Sequence, residues 1–288
     1  MLNSLAEKIN IRLMKEADLE VAEQLLVAGY GGSTGRIPEL KRLLKIQPDG
    51  WIFACQNDQP VGLGGSVIYD HFAYIGMMVV LPQMQRHGIG RKIFESILAR
   101  INEYKCDLAL LDATESGAAL YQHYGFKPVD QACQYVNLQP SVISHPCPAI
   151  DLVSSRDLKE LAEFDAPLFG SNRLRVFQAY WDDFKERFLF KHNSKGEISG
   201  YLLALPSRIG PWAALTPEDA GELMEAAFVF HFDNEVSVIA PAANPNAERI
   251  FTEAGFQFSR ALPHMANKAV NIARRRDLIY GQTSFAIG

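Results

Sequence analysis

The stretch from Ile75 to Gly90 reads IGMMVVLPQMQRHGIG, and it decides how the rest of the chain is interpreted. Its first seven residues form an apolar run with several β-branched side chains, which is typical of a buried strand. Pro82 closes this run, because proline cannot donate to a sheet ladder. Beyond Gly90, apolar residues recur at the spacing of one helix face, namely Ile93, Phe94, Ile97, Leu98 and Ile101. The sequence therefore predicts a strand, a glycine-containing turn and an amphipathic helix.

The turn Gln85–Gly90 has the features of an anion site. The first amides of a helix have no partner within the helix, and the helix dipole adds partial positive charge there. Gly88 and Gly90 lack a Cβ, so a phosphate could approach the backbone closely. A turn that uses its glycines only to reverse the chain is the alternative. A Walker loop fits poorly because no Gly-Lys-Ser/Thr follows, and a dinucleotide-binding loop fits poorly because the third glycine is missing.

Two motifs are similar to those of the GNAT superfamily of N-acetyltransferases. The pattern Gln85-x-x-Gly88-x-Gly90 resembles the acyl-CoA-binding signature of that family, and Ala118–Phe126 (AALYQHYGF) resembles its A-x-x-L/F-Y-x-x-x-G-F segment. The resemblance covers Ile11–Asn137 and implies acetyl-CoA (coenzyme A) as the cofactor. It further implies that the strand end and the turn bind this cofactor through Met78, Val79, Val80, Gln85, Arg86, His87, Gly88, Ile89, Gly90 and Arg91.

The same resemblance assigns catalytic roles. It implies that Tyr121 is the acid that protonates the leaving thiolate, since the ordinary pKa values of a phenol and a thiol are close enough for proton transfer. A core tyrosine without a catalytic role is the alternative. Backbone N–H groups near Met78–Val80 would stabilise the oxyanion, as in the family.

The acceptor side is less defined by the sequence. We expect Tyr30 in a glycine-rich loop, His71 at a strand end and Glu115 at a helix start to lie on the substrate side. For the general base, the sequence leaves open His71, Asp70, Asp112, Glu115 and a chain of water molecules.

Composition is that of an ordinary soluble globular protein, with 48% hydrophobic and 21% charged residues among 288. A net charge of −5 gives no general attraction to nucleic acid or to an anionic membrane, so we expect neither partner. The four cysteines form no C-x-x-C pair and no metal-like spacing with histidine, which predicts free thiols and no metal site. Because no signal peptide or membrane span is recognised, we expect a cytoplasmic protein.

Local patterns between these motifs predict further strands. Trp51–Cys55 and Pro60–Tyr69 read as a strand pair, and glycines at 62, 64 and 65 predict a bulge or a close backbone approach in the second strand. Pro128–Leu138 is interpreted as another strand pair. The proline-rich stretch that follows has no periodicity and is interpreted as a linker.

The second half of the chain repeats the first. Ile209–Pro217 corresponds to Ile75–Pro82, and Ile250–Phe256 corresponds to Leu120–Phe126. The second turn, however, is Thr216–Gly221 (TPEDAG), whose two carboxylates suit a helix start but would repel a diphosphate. We therefore expect only the N-terminal domain to bind the cofactor.

These observations define a fold class and a domain plan. The fold is predicted to be α/β, with tandem GNAT-like domains that each contain a mixed, largely antiparallel sheet flanked by helices. The domains are a catalytic domain over 1–138, a linker over 139–150 and a degenerate GNAT-like domain over 151–288.

The predicted function is direct transfer of an acetyl group from acetyl-CoA to a primary amine of a small molecule or a peptide. A non-catalytic acyl-CoA sensor and an interaction protein with paired domains are the alternatives, and the sequence leaves a homodimer open.

Overall fold

The computed structural model describes residues 9–32, 34–140, 150–269 and 273–288. The chain forms two compact units, of which unit 1 contains residues 1–110 with Ile287, and unit 2 contains residues 111–286 with Gly288. The predicted domain plan (1–138, 139–150 and 151–288) stays a prediction, because it divides the chain by its repeat and not by its contacts. Most of the predicted linker, residues 141–149, lies outside the described residues, as does Cys147.

The described part of unit 1 contains five strands and three α-helices, and the last two residues of its fifth strand are counted with unit 2. The elements are β1 (Ile9–Leu13), α1 (Leu19–Tyr30), α2 (Ile37–Ile46), β2 (Trp51–Gln56), β3 (Gln59–Ile68), β4 (Ala73–Val80), α3 (Ile89–Glu103) and β5 (Ala109–Asp112). Strands β1 to β4 pair in chain order, and every pair is antiparallel. The Ala73 amide at the start of β4 donates to Leu108 O, 2.8 Å away, just before β5.

Glycines in β3 allow α3 to lie close to the sheet. A Cβ on Gly62 would lie 2.8 Å from Ile93 Cδ1, and one on Gly64 would lie 2.7 Å from Ile93 Cγ2. Both distances are shorter than real Cβ contacts allow, so a larger residue at either position would require the Ile93 side chain to move. The close approach predicted for these glycines is thereby confirmed.

Unit 2 contains the remaining elements. They are α4 (Glu115–His123), β6 (Lys127–Asn137), β7 (Ile150–Leu152), α5 (Leu158–Phe169), α6 (Leu174–Phe184), β8 (Phe188–His192), β9 (Ile198–Ala204), β10 (Arg208–Ala214), α7 (Pro217–Ala227), β11 (Val236–Pro241), α8 (Ala247–Glu253), β12 (Gln257–Ala266) and β13 (Ile279–Gly281). Its strand order is β12-β6-β11-β10-β9-β8-β7, with β13 on β10. The β10–β11 pair is parallel, and this makes the sheet of unit 2 mixed.

Strand β6 comes early in the sequence but belongs to unit 2. It pairs antiparallel with both β11 and β12, for example Tyr135 with Val238 and with Phe258. The expected strand pair over Pro128–Leu138 is therefore wrong, because this stretch is one continuous strand of 11 residues. Both of its edges are satisfied by strands distant in sequence, so it has no need for a hairpin partner of its own.

The predicted repeat is confirmed by the order of elements and by local geometry. The sequence β3-β4-α3-β5-α4-β6 recurs as β9-β10-α7-β11-α8-β12. Helices α4 and α8 also end in the same motif: Gly125 and Gly255 both have φ of 83°. Phe126 N donates to Tyr121 O at 3.1 Å, and Phe256 N donates to Phe251 O at 2.8 Å. This bond pattern is that of a Schellman helix end with its glycine in the left-handed region.

The described residues can be compared with the expectations for membrane helices and for cysteines. None of the described helices is both long and apolar enough to cross a membrane. Cys55, Cys106 and Cys133 are free thiols.

Candidate active site

Strand β4 carries an irregularity close to its end. Leu63 of β3 faces Val79 and Gly65 faces Gly76, so β4 has one extra residue over this interval. Met77 absorbs the bulge with a φ of 55°, in the left-handed region that non-glycine residues seldom adopt. Strain of this kind persists only where the surroundings hold it, and it is concentrated at functional sites.

The turn that follows β4 opens the N-terminus of α3. Gly88 is the N-cap residue, with φ of 78°, and no side chain caps the helix. A Cβ added to Gly88 would have no heavy atom within 4 Å, so the space in front of the helix is open. The first bond back into this turn runs from Lys92 N to Gly88 O, at 3.1 Å. The amides that precede Lys92 therefore lie ahead of the helical ladder and face an accessible space, as an anion site requires.

The predicted cofactor residues of the turn are mostly at the surface. Gln85, Arg86, His87 and Gly88 are exposed, Gly90 is half-buried and Arg91 is exposed. Ile89 is 2% exposed and anchors the start of the helix in the core. No acidic residue lies in the first turn of α3. The residues present thus fit a bound diphosphate in charge and in space.

Two carbonyl groups of β4 already accept bonds from side chains of unit 1. Tyr30 Oη donates to Met78 O at 2.8 Å, and Gln85 Nε2 donates to Val80 O at 3.1 Å. The structure thus brings Tyr30 and Gln85 onto the strand end that was predicted from sequence to bind the cofactor. The prediction that Tyr30 lies in a glycine-rich loop is wrong: it is the last residue of α1, because helical bonding continues as far as Gly31, whose amide donates to Val27 O at 2.9 Å. The contact of Tyr30 with the strand backbone was not indicated by the sequence.

A buried carboxylate that sequence reasoning missed organises the glycine-rich loop. Glu23 of α1 is 9% exposed. Its Oε1 accepts from the backbone amides of Gly35 at 2.7 Å, Arg36 at 2.5 Å and Ile37 at 3.3 Å. These amides lie at the start of α2, which has no side-chain cap of its own. The available signal was an acidic residue on the apolar face of α1, next to Ala22.

The other predicted substrate-side residues lie at exposed positions. His71 lies in the bend between β3 and β4 of unit 1, and Glu115 is the first residue of α4 in unit 2. Asp112, which was considered as a general base, is instead hydrogen-bonded to other side chains of unit 2. Its Oδ1 lies 2.8 Å from His264 Nδ1, and its Oδ2 accepts from Gln282 Nε2 at 2.9 Å.

His264, like Glu23, is a buried titratable residue that the sequence analysis did not identify. It lies on β12 with its side chain 1% exposed, beside the Asp112 side chain, which is fully buried. Burial and the nearby positive charge of Arg276 lower the pKa of His264 below its ordinary value, although Asp112 opposes that shift.

Tyr121 lies on α4 in unit 2 and is 7% exposed. Burial raises the pKa of its phenol above the ordinary value near 10, so the group stays protonated at neutral pH. Gly117, one helical turn earlier, makes room for the ring: a Cβ there would lie 3.0 Å from Tyr121 Cε2 and 3.3 Å from its hydroxyl oxygen.

The corresponding turn of the second copy is closed. Thr216 caps α7 by accepting from Asp219 N at 3.1 Å, and Glu218 and Asp219 fill the first turn. Lys191 Nζ forms ion pairs with Asp219 Oδ1 at 2.6 Å and with Glu222 Oε2 at 2.8 Å. The Thr216 side chain thus caps the Asp219 amide, and the carboxylates of this first turn would repel an anion.

The strand edge of the second copy is closed as well. β10 and β11 pair only at Arg208 and Ile209, and beyond them β13 pairs with β10 through Trp212 and Ala213. Gln282, directly after β13, donates its amide to Ile239 O of β11 at 2.7 Å. The segment around β13 therefore fills the opening between β10 and β11.

Comparisons with known proteins identify the family. The models of the acetyltransferase (GNAT) domain match residues 48–128 and residues 161–281, which together are more than half of the chain. The uncharacterized N-acetyltransferase YitH of Bacillus subtilis is 25% identical over 196 residues, which make up 65% of this chain and 66% of that protein. The matched stretch thus spans just under two thirds of that relative.

Solved structures agree in fold. A chain from Pyrococcus horikoshii, provisionally named an acetyltransferase, superimposes with a TM-score of 0.84 at 26% identity, over 100% of this chain and 98% of that one. A GCN5-related N-acetyltransferase from Sphaerobacter thermophilus gives a TM-score of 0.65 at 15% identity, over 92% and 98% of the two chains, and shows likeness of fold alone. This chain therefore belongs to the GNAT family of N-acetyltransferases and carries two domains of that family in tandem.

Proposed function

We propose that this protein transfers the acetyl group of acetyl-CoA directly to a primary amine of a small molecule or a peptide. The observation that carries the proposal is the uncapped N-terminus of α3, with open space in front of Gly88 and no acidic residue in the first turn. An accessible set of unpaired amides at a helix start is a binding site for a diphosphate.

The cofactor would be held by two parts of unit 1. The backbone of the turn from Gln85 to Arg91 would bind the diphosphate, helped by the charges of Arg86 and Arg91. The backbone of β4 from Met78 to Val80 would contact the pantetheine arm, as an added strand contacts a sheet edge. When bound, the cofactor supplies the activated acetyl group, and the protein supplies position and electrostatic stabilisation.

The acceptor amine must lose a proton before it can attack. An amine with a lysine-like pKa of about 10.4 is neutral in only about one molecule in 2,500 at pH 7, a handicap of roughly 4.6 kcal/mol. His71 and Glu115 are exposed groups available to take that proton, and a water chain could serve equally. The structure gives Asp112 other partners, which makes it the weaker choice.

Tyr121 would donate to the departing sulfur. Because burial raises its pKa, the phenol is present as a donor throughout the neutral range. The same shift makes complete transfer of the proton to a thiolate less favourable than it is for an exposed tyrosine. Hydrogen-bond donation to the sulfur as the carbon–sulfur bond breaks is therefore the role that burial favours.

We further propose that the protein works in the cytoplasm, where its free thiols Cys55, Cys106 and Cys133 would stay reduced.

Two measurements test the proposed reaction. Calorimetry should detect one coenzyme A site per chain, and an amine panel with acetyl-CoA should release free thiol in proportion to acetylated product. Binding without turnover on any amine would favour the acyl-CoA sensor, whereas no binding at millimolar acetyl-CoA would exclude both functions.

A further inference from the structure

The bulged end of β4 presents a short row of backbone groups on the edge that faces away from β3. Leu81 N donates to Val61 O at 2.9 Å, so the Leu81 amide points toward the β3 side. Amides along a strand alternate in direction, and the C=O and N–H of one trans peptide point opposite ways. The far edge therefore carries, in order, the Met78 carbonyl, the Val80 amide and the Val80 carbonyl.

Both carbonyls in this row accept a side-chain hydrogen bond, whereas the amide between them is a donor. The Tyr30 hydroxyl covers Met78 O at 2.8 Å, and the Gln85 amide covers Val80 O at 3.1 Å. Covered carbonyls no longer present bare negative ends toward a ligand at this edge. The Val80 N–H then becomes the group best suited to a carbonyl oxygen on which negative charge develops.

Contacts on both sides of Tyr30 fix its position, in addition to its own hydrogen bond to Met78 O. The preceding residue, Gly29, lies so close to β4 that a Cβ there would come within 1.9 Å of Val79 Cγ2. On the far side of the loop, Glu23 binds the amides of Gly35, Arg36 and Ile37. The end of α1 is thus fixed on both sides, and Tyr30 at 45% exposure still reaches the strand backbone.

We propose that Tyr30 is a positioning residue for acetyl transfer. By holding the Met78 carbonyl, it fixes the bulge at Met77 and aims the Val80 amide at the acetyl carbonyl oxygen. The inference rests on the proposed function, and it adds Tyr30 and Gln85 as the side chains that shape the oxyanion-binding edge. Tyr30 acts through the backbone and does not itself contact the reacting atoms.

The test uses Tyr30→Phe, which removes only the hydroxyl, and Tyr104→Phe as a matched control. Tyr104 is also on unit 1, is 47% exposed, and donates to Asp49, away from β4. Infrared difference spectra of bound [1-¹³C]acetyl-CoA report how strongly the protein polarises the acetyl carbonyl, and no acceptor is needed. Calorimetry with coenzyme A, which has no acetyl group, measures affinity for the rest of the cofactor.

We expect the carbonyl stretch to move to lower frequency on binding to the native protein and to Tyr104→Phe. In Tyr30→Phe the displacement should shrink while coenzyme A affinity is retained. Once an acceptor is known, turnover of Tyr30→Phe should fall about threefold to tenfold, which corresponds to the loss of one neutral hydrogen bond. KM should change little. Replacing Tyr30 with 4-aminophenylalanine, which restores a donor at the same place, should restore the displacement.

Two outcomes would overturn the inference in different ways. An unchanged carbonyl displacement in Tyr30→Phe would show that the hydroxyl does not aim the amide, and would leave the proposed function intact. Failure of the native protein to bind acetyl-CoA at all would remove the proposed function and this role together.

Discussion

The helices that follow β4 and β10 start in opposite ways. Helix α3 begins at Gly88, uncapped and without an acidic residue, whereas α7 begins at Thr216, capped and followed by Glu218 and Asp219. Lys191 forms ion pairs with both Asp219 and Glu222, so the chain itself supplies a counter-charge at the acidic start of α7. The start of α3 is thus left without a side-chain cap, whereas the start of α7 is capped by a side chain of its own.

The strand edges differ in the same sense. The end of β4 is bulged and its carbonyls are covered by two side chains, whereas the end of β10 is paired with β13. The second copy has therefore closed both the helix start and the strand edge. The helix ends at Gly125 and Gly255 nevertheless have the same geometry in both copies. Two copies of a repeat can thus share a fold although their helix starts and strand edges differ.

The largest expected effect concerns Tyr121, for which the second copy has Phe251. Giving the first copy the residue of the second, Tyr121→Phe, removes the proposed hydrogen-bond donor and should lower turnover by about 10²- to 10³-fold. Coenzyme A affinity should change little, because the phenol is not part of the turn proposed to bind the diphosphate. Steady-state kinetics and calorimetry on the same sample check both parts. A variant with native turnover would assign Tyr121 to the core alone.

The next effect tests the two helix starts directly. Gly88→Asp introduces one of the carboxylates of the second copy and should weaken coenzyme A binding by about 2–4 kcal/mol, roughly 30- to 1,000-fold, by repulsion. Asparagine has nearly the size of aspartate and also tolerates the left-handed region, but it carries no charge. The loss of coenzyme A affinity in Gly88→Asn should therefore be much smaller. Gly221→Asp, at the other helix, should leave binding unchanged. Equal losses in Gly88→Asp and Gly88→Asn would point to shape and not to charge.

A smaller effect concerns the closed strand edge. Gly210→Ala would place a Cβ 2.3 Å from Gln282 O at a φ of 140°, so we expect unfolding free energy to fall by about 2–3 kcal/mol. Gly221→Ala, with no atom within 4 Å of its added Cβ, should instead gain about 0.5–1 kcal/mol. Urea unfolding followed by tryptophan fluorescence measures both, since Trp212 is fully buried beside this edge. Coenzyme A affinity, measured without urea, should not change in either variant.

The smallest effect is a pH dependence that belongs to unit 2. Because the pKa of His264 is lowered in the folded state, the unfolded chain binds more protons just below the ordinary value near 6.5. Stability should therefore fall as pH drops below about 6.5, by at most about 1.4 kcal/mol per pH unit from this group. His264→Gln should flatten that slope in urea titrations between pH 5 and 7. A slope that stays the same would assign the acid sensitivity to other groups.

Local sequence patterns predict the local structure of this chain well. The run Ile75–Leu81, the glycines of the turn and the apolar face after Gly90 correspond to β4, an uncapped helix start and α3. The repeat was also visible in sequence, and so was the acidic start of α7. The hydrogen bonds of these segments form between residues close in sequence, so the local sequence is enough to predict them.

Pairings between distant residues could not be predicted. Strand β6 finds its partners in β11 and β12, more than 90 residues further on, and β13 has only three residues to mark it. Glu23 caps a helix other than its own, and His264 meets Asp112 across 152 positions. Backbone and side-chain groups of this kind choose partners by tertiary packing, for which one sequence carries no periodic signal.

Amide NMR of ¹⁵N-glycine-labelled protein titrated with coenzyme A would show whether the diphosphate binds at the start of α3 or at the start of α7. We expect large shifts for the amides of Gly88 and Gly90 that saturate together, and unchanged resonances for Gly210 and Gly221. Shifts at Gly210 and Gly221 with Gly88 and Gly90 unmoved would contradict this expectation.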